Sequence, residues 1–319
     1  MNWIPTFKPD LKEPVYVAGH RGLVGSALVR QLGSYGFTNI IIAGREELDL
    51  TNQAAVHQFF SDKRPQYVFL AAAKVGGIVA NDKLSGAFIR DNLAIQCNVI
   101  ESARHYEVSK LIFFGSACAY PKFATCPIPE SILLKGELEP TNRAYAIAKI
   151  AGIEMCAAYH KQYGCDFRAL MPTNLYGIGD HYDLDHSHVI PGMIHRFHLA
   201  KILGKEEVVL WGTGLPTREF LYADDLAKAA IMWLYNYGNG GDTLLNVGSG
   251  VEVELAQLAK TIARVVGFRG QIKWDSSKPD GTPRRFLDSS KIFESDWRPE
   301  TSLEMGLRLA YADFLARKI

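Results

Sequence analysis

Tyr145 and Lys149 lie four residues apart in PTNRAYAIAK, downstream of the glycine-rich GHRGLVG and of FGSACAY. On a helix that spacing is about one turn, so the phenol and the ammonium share a face. An unperturbed tyrosine titrates near pH ~10, and lowering it to ~7 takes roughly 4 kcal/mol. A lysine charge about 4 Å away, at an effective dielectric near 20, supplies about that much. Ser116 would hold a carbonyl oxygen that Tyr145 protonates while a nicotinamide delivers hydride. The combination predicts a carbonyl reductase.

The same spacing recurs at Tyr106 and Lys110 in YEVSK. There Lys110 opens the apolar run LIFFG, which reads as a buried strand, so helical spacing breaks between the two residues. Cys118 follows Ser116 by two residues at the end of that strand. It reads either as a small buried filler or as a reactive thiol. His181, Asp183, Asp185, His186 and His188 crowd one connection; their spacing matches none of the helix-borne zinc motifs, and a solvated loop or a proton-transfer role fits them better than a metal.

These residues need a scaffold. VYVA is a short strand that runs into Gly19, Gly22 and Gly25, and a helical pattern follows in SALVRQLGSYG. Glycines there allow a tight turn and let backbone N–H groups approach a pyrophosphate at a helix N-terminus. The second strand, NIIIAG, ends at Arg45, and Arg21 stands inside the loop. Two guanidiniums suit a 2′-phosphate, so NADP is favoured over NAD despite Glu46 and Glu47 just beyond. Asp49 reads as an adenine contact or as the N-cap of the helix QAAVHQFFSDK. YVFLAAA, a helix over about 86–105, LIFFGSA, the tyrosine helix and DFRALMP continue the alternation. That rhythm predicts a doubly wound α/β fold with a parallel (Rossmann) sheet.

The alternation breaks after Pro172. A long polar connection, a helix in MIHRFHLAKILG and the strand VVLWG come next, and REFLYADDLAKAAIMWLYNYG and TLLNVGS return to the main sheet. A helix in LAQLAKTIARVVG, a strand in QIKW and a closing helix follow. The expected division is a cofactor domain over 1–172 plus about 219–250. A smaller discontinuous α/β substrate lobe takes about 173–218 plus 251–319.

Composition narrows the class. The chain has 319 residues, 48% of them hydrophobic and 22% charged, and a formal net charge of +1, which gives no reason to expect nucleic acid or an anionic membrane as partner. No apolar run approaches the ~20 residues of a membrane span, and the N-terminus lacks a secretory pattern. Five cysteines without CxxC spacing suit reduced thiols and a cytoplasmic setting.

GHRGLVGSAL, AAAKVGGI, GSACAYPK, EPTNRAYAIAKIAG, PTNLYG, SHVIP, RFH and PTREFLYADD together resemble the extended short-chain dehydrogenase/reductase family. Within it they are most similar to the dimeric 3,5-epimerase/4-reductases of GDP-sugars. The similarity runs from about Val15 to about Arg285. It implies conversion of GDP-4-keto-6-deoxy-D-mannose to GDP-L-fucose with NADPH, by a homodimer.

Carried over residue by residue, the resemblance makes Ser116, Tyr145 and Lys149 the triad, Cys118 the epimerisation base and His188 its acid partner. It puts Gly19, Arg21, Gly22, Leu23, Val24 and Gly25 around NADPH. Arg45, Asp49, Leu50, Phe114 and Gly115 join them, with Lys149, Pro172, Asn174, Leu175 and His188. Arg196, Trp211, Arg218 and Asp288 fall where the family holds the sugar nucleotide. Read without it, the arginines are equally surface charges and Trp211 equally core. Ala117 stands where a second serine is common, and Asp185-His186-Ser187 where the family often has Asn-Ser. A 4-keto group acidifies C3–H and C5–H. A thiol with pKa near ~8.5 gains thiolate from a neighbouring imidazolium, so His188 would both activate Cys118 and donate the returning proton. The alternatives are a sister nucleotide-sugar 4-reductase or epimerase, and a non-catalytic NADP sensor.

Overall fold

The computed structural model describes residues 9–183, 187–235, 242–278 and 280–317. β1 (Val15–Ala18), α1 (Leu23–Ser34), β2 (Ile40–Ile41), α2 (Gln53–Lys63), β3 (Tyr67–Leu70), α3 (Ile78–Lys83), α4 (Ser85–His105) and β4 (Lys110–Phe114) open the chain. Then come α5 (Arg143–Tyr163), β5 (Asp166–Pro172), β6 (Asn174–Tyr176), α6 (Val189–Ile202), β7 (Glu207–Trp211), β8 (Thr217–Tyr222), α7 (Ala223–Tyr235) and β9 (Leu244–Val247). The last stretch holds β10 (Glu252–Glu254), α8 (Leu255–Val266), β11 (Gln271–Asp275), β12 (Arg284–Arg285), α9 (Ser290–Phe293) and α10 (Leu303–Ala316).

Six strands pair in the order β2-β1-β3-β4-β5-β9, all parallel. β1, β3 and β4 are buried along their whole length, as strands covered on both faces must be. α1 and α7 pack Leu28, Leu32, Leu226 and Ile231 against one face. α2, α4 and α5 pack Phe60, Val99 and Ile153 against the other. The fold is therefore the expected doubly wound α/β sheet. Strand order reverses at β1, with β2 on one side and β3 on the other, and such a reversal opens a crevice at the carboxyl ends.

A smaller mixed sheet has β8 in the middle, with β10 antiparallel on one side and β6 and β12 parallel on the other. β7 and β11 form a separate parallel pair. α6, α8 and α10 close this part around Phe197, Leu258, Ile262 and Phe314.

The structure departs from the sequence reading at several elements. REFLY does not return to the main sheet. It is the central strand of the small one, so β8 straddles the boundary expected near 219, and the chain re-enters the main layer only at α7 and β9. An apolar strand running directly into an apolar helix leaves no break to read. β2 shrinks to two residues because it lies at the sheet edge with one neighbour. The short helix α3 went unread after the Gly76-Gly77 pair; Asn81 Nδ2 donates to Gly76 O (2.6 Å) and Gly77 O (3.1 Å) and stitches it down.

Tyr106 and Lys110 separate as expected. α4 ends at His105, Tyr106 bonds His57 Nδ1 at 2.8 Å, and buried Lys110 places its Nζ 2.5 Å from Asp166 at the start of β5. Among the described residues no helix is long and apolar enough to cross a membrane.

Candidate active site

The glycine turn spans the reversal point. Gly19 has φ +86°, and a Cβ there would come 2.6 Å from Ala72 N, just past β3. A Cβ on Gly25 would lie 2.0 Å from Gly19 O, so the turn and α1 are in contact that no side chain permits. Gly22 differs: it is the N-cap of α1, and a Cβ there meets only Gly19 O at 3.5 Å. The space in front of the helix is open. Ser26 N makes the first intrahelical bond, to Gly22 O at 2.8 Å, so the N–H groups of Leu23, Val24 and Gly25 precede the ladder. No side-chain cap and no acidic first-turn residue competes for them. This end suits a pyrophosphate.

At the adenosine end, Arg21 is paired with Glu46 at 2.5 Å, both exposed, and Arg45 is exposed. Asp49 accepts from Thr51 N (2.9 Å) and Thr51 Oγ1 (2.8 Å). It is not the cap of α2. Asn52 is, accepting from Ala55 N at 3.1 Å. Leu50 packs beside the core under α2, and its carbonyl accepts from Asn98 Nδ2 at 2.9 Å.

β4 delivers Phe114, Gly115 and Ser116 to the carboxyl edge, and Gly115 N bonds Leu170 O of β5 at 2.8 Å. Ser116 then caps a single 3₁₀ turn, Ala117–Ala119, accepting from Cys118 N at 3.4 Å. Serine is suited to this job because its short side chain bonds the backbone two residues on. Cys118 is half-buried in that turn rather than core filler. Tyr145, in the first turn of α5, hydrogen-bonds the Ser116 side chain. Ser116, Cys118 and Tyr145 thus converge.

Electrostatics reverses one expectation. Burial holds the Tyr145 phenol well above the ordinary tyrosine range; nearby Cys118 adds to this, and the Ser116 bond opposes it. Lys149 does not bring it down. Its Nζ donates to Phe114 O at 2.7 Å and sits 5.8 Å from the Tyr145 ring centroid and 4.8 Å from that of Phe113. Burial lowers Lys149 itself to about 8. A phenol that stays protonated at neutral pH is the form that donates a proton to a carbonyl oxygen.

His188 is the N-cap residue of α6 and is exposed. Although the residue keeps surface open to solvent, the groups packed round the imidazole strip water from it, and this desolvation, then His181, lower its pKa below the ordinary value. The expected imidazolium partner for the thiol is therefore disfavoured in the free protein; neutral imidazole is the resting form near pH 7. Asp185 and His186 lie outside the described residues. On the other side of His181, Asp180 is buried, accepts from His181 N at 2.8 Å through Oδ1, and has its carboxyl pushed up to about 7 by burial. The folded form then keeps a proton that the unfolded chain releases from about pH 4, so this group costs stability as pH rises towards 7. Asp180→Asn should gain melting temperature over the parent at pH 8 and much less at pH 5. The difference is at most about 4 kcal/mol, and an equal gap at both pH values would contradict it.

The four residues expected to hold the sugar nucleotide stand on α6, β7 and β8 and just past β12. Arg196 on α6 lines a hollow of about 590 Å³ against Val208 and Val209 of β7. Trp211 is 64% exposed at the end of β7, which removes the core alternative, and Lys278 Nζ stands 5.8 Å over its ring. Asp280 bonds Thr213 N (2.6 Å) and Oγ1 (2.7 Å), joining that segment to β7. Arg218 is half-buried on β8 and donates to Thr217 O at 2.8 Å. Asp288 is engaged locally: its Oδ1 accepts from Ser290 N at 3.0 Å. Pro172 ends β5, Asn174 Nδ2 donates to Glu219 O at 2.9 Å, and Leu175 packs on the sheet core beneath.

Sequence reasoning missed two supports. Glu219 is fully buried and accepts from Gly250 N (2.8 Å) and Leu287 N (3.2 Å), tying the two loops that carry them to β8. Tyr120, two residues past Cys118, donates to buried Asn246 of β9 at 2.5 Å. Nothing in REFLY, SACAY or LLNVG marks these residues, because their partners come from remote segments.

A family model for the NAD dependent epimerase/dehydratase family matches residues 15–248, from β1 to just past β9. The chain belongs to that family. Within the family, GDP-L-fucose synthase 1 of Arabidopsis thaliana is 55% identical over 306 residues, which cover 96% of this chain and 94% of that protein. GDP-L-fucose synthase of Escherichia coli (strain K12) is 49% identical over 312 residues, covering 95% and 97%. The crystal structure of a GDP-L-fucose synthetase from Naegleria fowleri bound to NADP superposes with a TM-score of 0.89 at 26% identity, covering 98% of this chain and 96% of that one.

Proposed function

We propose that this protein converts GDP-4-keto-6-deoxy-D-mannose to GDP-L-fucose by epimerisation at C3 and C5 and reduction at C4. The observation that carries the reading is the convergence of a thiol, a serine hydroxyl and a protonated phenol at the end of β4. A plain reductase needs the hydroxyl and the phenol; the thiol beside them is what epimerisation adds. The identities of 55% and 49% to named GDP-L-fucose synthases support the choice of sugar nucleotide.

The open end of α1 and the glycine cradle fit NADP(H), with Arg21 and Arg45 meeting the 2′-phosphate and Lys149, Pro172, Asn174 and Leu175 the nicotinamide half. When bound, NADPH supplies the reducing equivalent for C4. Tyr145 and Ser116 hold the C4 oxygen, first while negative charge collects on it during epimerisation and then while C4 is reduced. Cys118 removes the proton from C3 and C5, and His188, neutral in the free protein, takes up a solvent proton as the anionic substrate binds beside it and returns one from the opposite face. Tyr145 then gives its proton to the C4 oxygen and is reprotonated from solvent, while Lys149, held on Phe114 O, stays at the nicotinamide half. Arg196, Trp211, Arg218 and Asp288 receive the GDP moiety.

The small lobe, about 173–218 with 251–319, closes over the cofactor domain. A second copy docks on α4 and α5, where Ile89 and Ile147 line an open hollow. The test is turnover of GDP-4-keto-6-deoxy-D-mannose with NADPH and with NADH. The expected result is a product that co-elutes with GDP-L-fucose and a rate at least about tenfold higher with NADPH, the discrimination an arginine–phosphate contact gives. A product reduced at C4 but not inverted would make the protein a sister reductase.

A further inference from the structure

Arg285 was not among the residues expected at the site. β12 pairs with β8 in parallel register, and Arg285 stands opposite Arg218. Neighbouring strands present opposed residues on the same face, where two like charges repel. The repulsion is felt: Arg218 is held below the ordinary guanidinium range by burial and then by Arg285. Arg218 has its own strand carbonyl, Thr217 O, as acceptor. Arg285 donates to Ala117 O at 2.5 Å. Ala117 is the residue between Ser116 and Cys118. The backbone beside this contact is clamped, with Ile128 N on Phe286 O and Asp288 N on Ile128 O, both at 2.9 Å. One guanidinium therefore touches the turn that carries the hydroxyl and the thiol, and lies beside the arginine assigned to the substrate.

We propose that Arg285 is a positioning residue that joins Arg218 in seating the diphosphate of the nucleotide sugar and, through Ala117 O, sets the Ser116–Cys118 turn. This rests on the GDP-sugar reading above. A guanidinium has donors enough for a carbonyl and a phosphate at once, and a diphosphate neutralises the opposed pair that the sheet otherwise carries at a cost. Binding of the distal diphosphate is thereby coupled to placement of the reacting groups.

Arg285→Met and Arg285→Lys test it, with GDP affinity by calorimetry, NADPH affinity, melting temperature, and kcat and KM on GDP-4-keto-6-deoxy-D-mannose. The methionine variant should bind GDP about tenfold more weakly and lose about tenfold in kcat as well. Its NADPH affinity and melting temperature should be unchanged. Lysine, which keeps the charge and a donor, should restore both GDP affinity and kcat to within about threefold. Unchanged GDP affinity and kcat in the methionine variant would overturn the proposal. So would equal losses in both variants accompanied by a lower melting temperature, which would make the residue merely structural. If the parent protein binds GDP but does not turn over the keto sugar, the functional reading fails. The diphosphate seat is then judged on GDP affinity alone: a tenfold loss in Arg285→Met supports it, and an unchanged affinity removes it.

Discussion

Tyr145→Phe should lower NADPH oxidation with the keto sugar by about 10²–10⁴-fold, the usual worth of a positioned general acid. Cofactor binding should stay within about twofold, because the phenol bonds Ser116 and no group of the glycine cradle. The phenol is held protonated by burial, and reduction consumes a proton, so the resting enzyme already carries the form it needs. Exchange at C3 and C5 should fall too, since the same hydroxyl holds the C4 oxygen while the enolate forms. Turnover at the parental rate would remove Tyr145 as the proton donor. The variant should melt close to the parent, since the ring remains and only one hydroxyl bond is lost.

The second large effect is expected at Cys118. Cys118→Ser should slow deuterium entry at C3 and C5 by about 10²-fold or more, since a serine hydroxyl is a far weaker base near neutrality than a thiolate. The turn should survive, because its defining bonds run from Cys118 N to Ser116 Oγ and from Arg285 to Ala117 O, and neither uses the sulfur. Residual NADPH oxidation should then yield a sugar reduced at C4 without inversion. Exchange at the parental rate in this variant would mean that another group is the base.

The main sheet was readable because its signals are local. DFRALMP is an unbroken buried strand and QAAVHQFFSDK a helix with an asparagine cap, and both stand at the expected residues. The glycine turn was readable for the same reason: strand, turn and helix are contiguous. The pairing of Arg218 with Arg285 was not, since it arises from strand register between distant segments. Electrostatic signs were also beyond the sequence. Spacing put Lys149 near Tyr145, yet the ammonium points at Phe114 O, and burial rather than the lysine governs the phenol. For His188 the outcome is similar: a motif locates the residue, while its surroundings lower its pKa where a charged partner had been expected.

The most direct test is a single reaction in D₂O with GDP-4-keto-6-deoxy-D-mannose and NADPH, with the product analysed by NMR. GDP-L-fucose carrying deuterium at both C3 and C5 is the expected result, since each inverted centre takes its new proton from a solvent-exchangeable group. A 4-hydroxy product with protium at both carbons and the original configuration would contradict the epimerase half, and no NADPH consumption would contradict the whole.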